Sequence, residues 1–260
     1  KRRKRARTNS MDMKQPLLPP QSKHDDGKIC LVLDMDETML HSEFGEAGKS
    51  LTHAENRPVV TSKEDFRLRV KYQGRNETIR VYLRPGLLTF LQMASKHFEL
   101  VVFTAALPVY ANAALDRIDP KGLISHRLFR ESTVASHGYQ FVKDVSRMGR
   151  EMGKIVLVDN SPFAMAASLE NSIPILSYFD DRSDKELAKL LRTLHELLMH
   201  HDVRETLRLL HPDFQKQIQD HLADEDQDGM SMTSISSFES QHVVDEIMND
   251  FLSNECEAEC

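Results

Sequence analysis

Lys28-Ile-Cys-Leu-Val-Leu-Asp-Met-Asp-Glu-Thr-Met-Leu40 decides the fold. Ile29 to Leu33 is an unbroken apolar run with β-branched members, the pattern of a strand buried on both faces in a parallel sheet. It stops at Asp34, with Asp36 and Thr38 following at alternate positions. Open α/β sheets place their ligands at the carboxyl ends of such strands. Two acids one residue apart repel each other there and need a cation, a proton or a function. One reading makes Asp34 a nucleophile and Asp36 its acid/base partner, with a divalent metal damping the charge. The other is a polar loop in which Asp36 or Thr38 caps the next segment. The stretch alone leaves both open.

Two further apolar runs end in the same way. Phe98 to Phe103 stops at Thr104, followed by the small residues Ala105 and Ala106, which let backbone N–H groups approach an anion. A strand-end cap is the other reading of Thr104. Ile155 to Val158 stops at Asp159-Asn160-Ser161-Pro162. Lys143 follows a short β-like run, Tyr139 to Val142; in isolation it reads as a surface charge.

Between these runs, Ser42 to Asn56 reads as a polar loop. Phe66 to Tyr72 and Thr78 to Leu83 alternate around Gln73-Gly74-Arg75-Asn76, which predicts a hairpin flanking the acids. Pro85 is expected at the first position of a helix with Leu87, Leu88, Leu91 and Met93/Ala94 inward. Val109 to Arg117 reads as helix, Leu128 to Val134 as β-like, and Pro174 to Phe179 as a further strand. Ser183 with Glu186 predicts a capping box for a helix packed through Leu187, Leu190, Leu191, Leu194, Leu197 and Leu198. A last helix spans His201 to Leu210, and the fold closes near Pro212.

With 260 residues, 40% apolar and 28% charged, the chain has the composition of a soluble globular protein. No apolar run approaches the roughly 20 residues of a membrane span. Three cysteines make no disulfide framework, which points to a reducing compartment. The division expected is a basic disordered arm (1–26), an enzymatic domain (27–212) and an acidic, largely disordered tail (213–260). Six of the first seven residues are basic, which suits an import receptor, nucleic acid or acidic lipid. In the tail, Asp224 to Gly229 starts like a calcium loop but reaches Ile235 where a glutamate ligand belongs. Ser231 to Ser240 suits phosphorylation. Val243, Val244, Ile247, Met248, Phe251 and Leu252 form an amphipathic segment able to fold on a partner or on its own domain.

Val32-Leu-Asp-Met-Asp-Glu-Thr38, Arg84-Pro85, Val102-Phe-Thr-Ala105, Val142-Lys-Asp-Val-Ser-Arg147 and Val158-Asp-Asn-Ser-Pro162 together resemble the haloacid dehalogenase superfamily. Within it, they resemble the small phosphatases of the RNA polymerase II C-terminal domain and their nuclear-envelope relatives. The resemblance implies an α/β, Rossmann-like fold: a central parallel sheet flanked by helices, with a small β-hairpin insertion. It implies a Mg²⁺-dependent serine/threonine protein phosphatase working through an aspartyl-phosphate. Asp34 and Asp36 are then the catalytic pair. Asp34, the backbone carbonyl of Asp36, and Asn160 hold the metal, and Thr104, Ala105 and Lys143 hold the substrate phosphate. Thr38 and Asp159 support them. The implied substrate is the polymerase C-terminal domain or another nuclear phosphoprotein, with a nuclear address and the cytoplasm also open. Departures from close relatives are Met35, Met39, Ala106, Tyr178 and Gly86, none of which removes a catalytic group. A small-molecule phosphatase of the same superfamily and a non-catalytic scaffold are the alternatives.

Overall fold

The computed structural model describes residues 15–45, 60–136, 139–210 and 216. Its strands are β1 (Ile29–Leu33), β2 (Leu40–Phe44), β3 (Phe66–Tyr72), β4 (Arg75–Leu83), β5 (Phe98–Phe103), β6 (Ile124–Leu128), β7 (Val134–Ser136), β8 (Tyr139–Val142), β9 (Ile155–Asp159) and β10 (Ser172–Pro174). The helices are α1 (Leu87–Ala94), α2 (Pro108–Ile118), α3 (Glu186–Leu197) and α4 (Val203–Leu210). Five strands form a parallel sheet in the order β10-β9-β1-β5-β6, so β1 is central.

The unbroken apolar run of β1 has a direct cause. Successive side chains point to opposite faces, and the two faces feed two separate cores. Ile29, Leu31 and Leu33 pack with Phe90, Leu91 and Leu115 of the helices, while Cys30 and Val32 pack with Val101, Phe103, Leu157 and Met148. β5 and β9 divide their residues in the same manner. Polar side chains are tolerated only at the strand ends, and there they collect.

Several expectations are corrected. The expected hairpin forms as β3 and β4, and β2 joins it along β4 to make a three-stranded antiparallel sheet, β2-β4-β3. Its first strand, Leu40-His-Ser-Glu-Phe44, runs into the stretch from Ser42 that reads as polar loop. The β3–β4 turn is two residues, Gln73 (φ 47°) and Gly74 (φ 80°), both left-handed as tight hairpins demand. Pro85 stands outside α1, whose cap is Gly86 at φ 81°. Phe90 faces inward there, while Leu88 and Met93 are about half exposed. β6 begins at Ile124, and a single 3₁₀ turn, Arg130–Ser132, occupies the stretch expected to be β-like. The last sheet strand is Ser172–Pro174, and Ile175 to Phe179, expected to be strand, is irregular. The Ser183–Glu186 capping box does not form. Ser183 Oγ bonds Asp181, and Asp184 accepts from the Glu186 N–H.

Residues 15–26 are not part of a disordered arm. Leu18 is buried in the second core, the Leu17 N–H donates to the Arg147 carbonyl at 2.8 Å, and Gln21 donates to Glu99 at 3.0 Å. This strap crosses the amino-terminal ends of the strands, where Glu99 is fully buried against Arg150 at 2.6 Å. The basic septet, the calcium-like loop, the serine-rich run and the amphipathic segment lie outside the described residues, as do Cys256 and Cys260. Cys30 is a free, buried thiol. Among the described residues no helix is long and apolar enough to cross a membrane.

Candidate active site

Strands β1, β5 and β9 run side by side, and their carboxyl ends bring the predicted groups to one edge of the sheet. The Asp34 N–H donates to the Val158 carbonyl at 2.9 Å, which seats Asp34 beside Asp159. Lys143, delivered by the β7–β8 hairpin, enters between them. Its Nζ lies 2.5 Å from Asp34 Oδ1 and 2.6 Å from Asp159 Oδ2. All three are buried, so Lys143 is no surface charge. The hairpin is held by its own small core, with the Tyr139 ring stacked on Phe163 at 4.5 Å.

Burial works against the charge of Lys143, but the carboxylates of Asp159 and Asp34 outweigh it and raise its pKa. Burial raises the pKa of Asp159 to about 7, against the pull of Lys143 and with help from Asp34. Two carboxylates share one ammonium, leaving net negative charge inside the protein.

Asp36 points away from that pair. It accepts a hydrogen bond from the Tyr110 hydroxyl of α2 at 2.5 Å, and that hydroxyl lies 2.6 Å from Ser42 Oγ on β2. Burial of the carboxyl is the largest cause holding the Asp36 pKa well above the carboxylate range. Glu37 and Asp34 add to it and the Tyr110 bond opposes it. A carboxyl so placed keeps its proton and can act as an acid.

Thr38, fully buried, donates to Asn160 Oδ1 at 3.3 Å, and Asn160 Nδ2 donates to Ser177 Oγ at 3.1 Å. Asp34, Asn160 and the main chain of Asp36 offer only oxygen donors. That suits a hard divalent ion that keeps some of its own water, with one carboxylate among its ligands. Among the described residues no group of three or more His, Cys, Asp or Glu side chains is arranged to hold a metal. A set of one carboxylate, one amide and one carbonyl is a different kind of site. Thr104 stands at the neighbouring end of β5. Its hydroxyl accepts from the Ala106 N–H at 2.9 Å, and the Ala105 carbonyl accepts from Arg130 at 2.6 Å.

Three residues of this region are not singled out by sequence reasoning. Tyr110 reads only as part of the Val109 to Arg117 helix and Ser42 as loop. Arg84 reads as a motif member with no role. In the structure it is 1% exposed and donates to the carbonyls of Thr38 (3.0 Å) and Leu176 (2.7 Å). It therefore ties the loop of Asp36 and Thr38 to the loop carrying Ser177. Only the Arg-Pro pair of the motif hints at this.

Comparison with known proteins identifies the family. The family model described as NLI interacting factor-like phosphatase matches residues 29–204. The CTD small phosphatase-like protein of Homo sapiens is 40% identical over 194 residues, 75% of this chain and 65% of that protein. The CTD small phosphatase-like protein 1 of Caenorhabditis elegans is 39% identical over 70% of this chain and 34% of its own length. An uncharacterised protein of Schizosaccharomyces pombe is 40% identical over 74% of this chain and 55% of its length. The chain thus spans between a third and two thirds of these relatives. Among solved structures it resembles Fcp1, an essential RNA polymerase II CTD phosphatase, with a TM-score of 0.45 at 18% identity, over 76% of this chain and 62% of that one. The matched span runs from β1 into α4 and takes in every residue of the cluster at the strand ends; the chain belongs to the NLI interacting factor-like phosphatase family.

Proposed function

We propose that the chain hydrolyses phosphoserine or phosphothreonine esters on proteins through a phosphorylated Asp34. The observation that carries this is the buried Asp34–Lys143–Asp159 cluster beside an Asp36 built to keep its proton. A phosphomonoester dianion repels a carboxylate, so charge must be neutralised before Asp34 can reach phosphorus. The Lys143 ammonium, held between Asp34 and Asp159, sits where it can take up part of that charge and favour the equatorial oxygens as they load in the transition state. Lys143 engages Oδ1 of Asp34, which leaves Oδ2 for the attack.

Attack transfers the phosphoryl group to Asp34 and releases the serine or threonine oxygen, which takes the proton of Asp36. Asp36, now ionised, accepts a proton from the water that cleaves the acyl phosphate, and Asp34 is regenerated. Tyr110 keeps Asp36 aimed during both transfers. Asp34, Asn160 and the Asp36 carbonyl would hold Mg²⁺, which supplies electrostatic stabilisation of the phosphoryl oxygens when bound. Thr104 and Ala105, at the end of β5, would take the remaining phosphate oxygens.

Among the described residues, the insertion sets only three short strands beside the site. Phe44 at its edge is 40% exposed and packs edge-on against Tyr110 at 5.3 Å. An exposed aromatic edge beside the acid suits a flexible segment of a protein substrate. The names of the relatives make the polymerase C-terminal domain the first candidate, with a nuclear address to match.

The test is Mg²⁺-dependent phosphate release from a phosphoserine polymerase-tail peptide and from small phosphate esters, comparing the protein with Asp34→Asn. Turnover of the peptide that needs the metal and is lost in the variant is the expected result. Release from small esters alone would replace the protein substrate with a metabolite, and no release from either would leave a scaffold.

A further inference from the structure

The residue between the two motif side chains, Glu37, is the one non-glycine of the motif loop in the left-handed region, at φ 57°. Such a conformation costs a residue with a side chain free energy and persists only where its surroundings over-determine it. Every polar group of Glu37 is used for that purpose. Its N–H donates to the Leu40 carbonyl at 2.7 Å, and its carbonyl accepts from the Tyr178 N–H at 2.7 Å. Its carboxylate accepts from His41 Nδ1 at 2.9 Å.

His41 is no ordinary surface histidine. It is 3% exposed, on β2, with its ring stacked on Tyr82 at 6.1 Å and edge-on to Phe179 at 5.3 Å. Two aromatic neighbours and a carboxylate fix its orientation. Tyr178 and Phe179 are adjacent, so the same loop fixes the Glu37 carbonyl and the His41 ring.

The turn at Glu37 has a geometric result. Asp36 before it reaches Tyr110, and Thr38 after it reaches Asn160, two groups on different elements. An ordinary right-handed conformation at Glu37 would rotate one of these side chains away from its partner. We infer that His41 is a positioning residue for the Asp36 acid, acting through Glu37 by holding the motif loop in its left-handed turn. This rests on the phosphatase reading above, in which Asp36 moves the proton.

The test compares four proteins: the unmodified chain, His41→Ala, Glu37→Gly, and the double variant. Glycine adopts the left-handed region freely, so the clamp becomes dispensable once position 37 is glycine. His41→Ala should lower kcat on the phosphoserine peptide by about tenfold or more, with KM changed by less than about twofold. The double variant should recover most of that loss. A merely structural His41 would give no recovery, since Glu37→Gly adds nothing to the packing around Tyr82 and Phe179. His41→Gln, which keeps an N–H donor, should fall between the unmodified chain and His41→Ala.

A readout independent of turnover separates this inference from the phosphatase reading. Crystal structures of His41→Gln and the double variant report φ at position 37 and the Asp36–Tyr110 distance directly. If the His41→Ala chain folds too poorly for kinetics, these two variants carry the comparison. Unchanged kcat in His41→Ala, or a double variant no faster than His41→Ala, overturns the inference. So does an Asp36 that stays on Tyr110 in a His41 variant whose position 37 has left the left-handed region. An inactive unmodified chain would instead overturn the phosphatase reading, leaving the crystallographic comparison to decide the role of His41.

Discussion

Arg84 and Asp184, a hundred positions apart, meet as a two-point pair, Nε to Oδ1 at 2.9 Å and Nη2 to Oδ2 at 2.8 Å. The Arg84 side chain is fully buried, and its remaining donors go to Thr38 and Leu176. A planar fork makes this geometry possible where a single ammonium would not. Arg84→Lys should therefore be destabilised and slow, even though charge is kept. Removing one partner of a buried pair costs about 3–5 kcal/mol, so Arg84→Ala should lie at the upper end of single-site losses. Urea unfolding of the two variants, read beside their kcat, checks both statements; a lysine variant with unchanged midpoint would refute the need for the fork.

Tyr110→Phe isolates the hydroxyl that reaches Asp36. The ring stays, and with it the contact to Phe44 at 5.3 Å. A hydrogen bond between uncharged groups contributes about 0.5–1.5 kcal/mol, so kcat should fall by roughly two- to tenfold while the thermal midpoint moves by only a few degrees. Steady-state kinetics with the phosphoserine peptide measures the first, and calorimetry the second.

The strap of residues 15–26 gives a stability prediction that a disordered arm would not. Leu18→Ala empties a buried position and should cost about 2–3 kcal/mol, the low end for large-to-small core changes. Gly149→Ala should be destabilised independently. Its φ is +69° and an added Cβ would stand 2.7 Å from the Pro16 Cβ. Denaturant unfolding of each variant provides the number, and a wild-type midpoint for Leu18→Ala would show the strap to be dispensable.

Acid should undo the same region. Burial opposes the charge of Glu99, yet hydrogen bonds from Arg150 and Gln21 outweigh it and hold its pKa below the ordinary 4.5. Burial likewise opposes Asp25, while His24, Lys28, Ser22 and Ser125 bring it to about 2. Both shifts are downward, so their stabilisation is complete above the unfolded values and disappears as pH falls through the folded ones. The contribution of Glu99 and Asp25 to stability should therefore hold from neutral pH to about 4.5 and decline from there toward 2. Glu99→Gln should be clearly weaker than the unmodified chain at pH 7, and the gap should close in strong acid. Urea midpoints measured across that range test the sign as well as the size.

What the sequence discloses and what it hides follow one physical division. β1, β5 and β9 are legible because each is buried on two faces and so is apolar along nearly all its length, Glu99 near the start of β5 excepted, and the site residues are legible because each such run ends abruptly in a polar group. β2 is hidden because His41, Ser42 and Glu43 serve Glu37, Tyr110 and Tyr82 rather than an apolar face. β6, with Ser125, His126 and Arg127 inside it, is an edge strand and lacks a second neighbour to demand burial. The strap has no periodicity to detect, since only Leu17 and Leu18 reach the core. Tyr110, Arg84 and His41 owe their roles to partners brought near by folding, and local pattern carries no trace of those partners.

The place of β1 in the sheet also sets the order in which the molecule can be made. Among the described strands of the sheet it comes first in the chain, and both halves of the sheet are built on it, since it pairs with β5 on one side and β9 on the other. β9 starts at residue 155. At the usual rate of about 5–20 residues per second, roughly 6 to 25 seconds of synthesis separate β1 from its second neighbour. For that interval one apolar edge of the future centre has no strand to cover it. The nascent half-sheet, rather than the finished fold, is the form of this chain most exposed to aggregation.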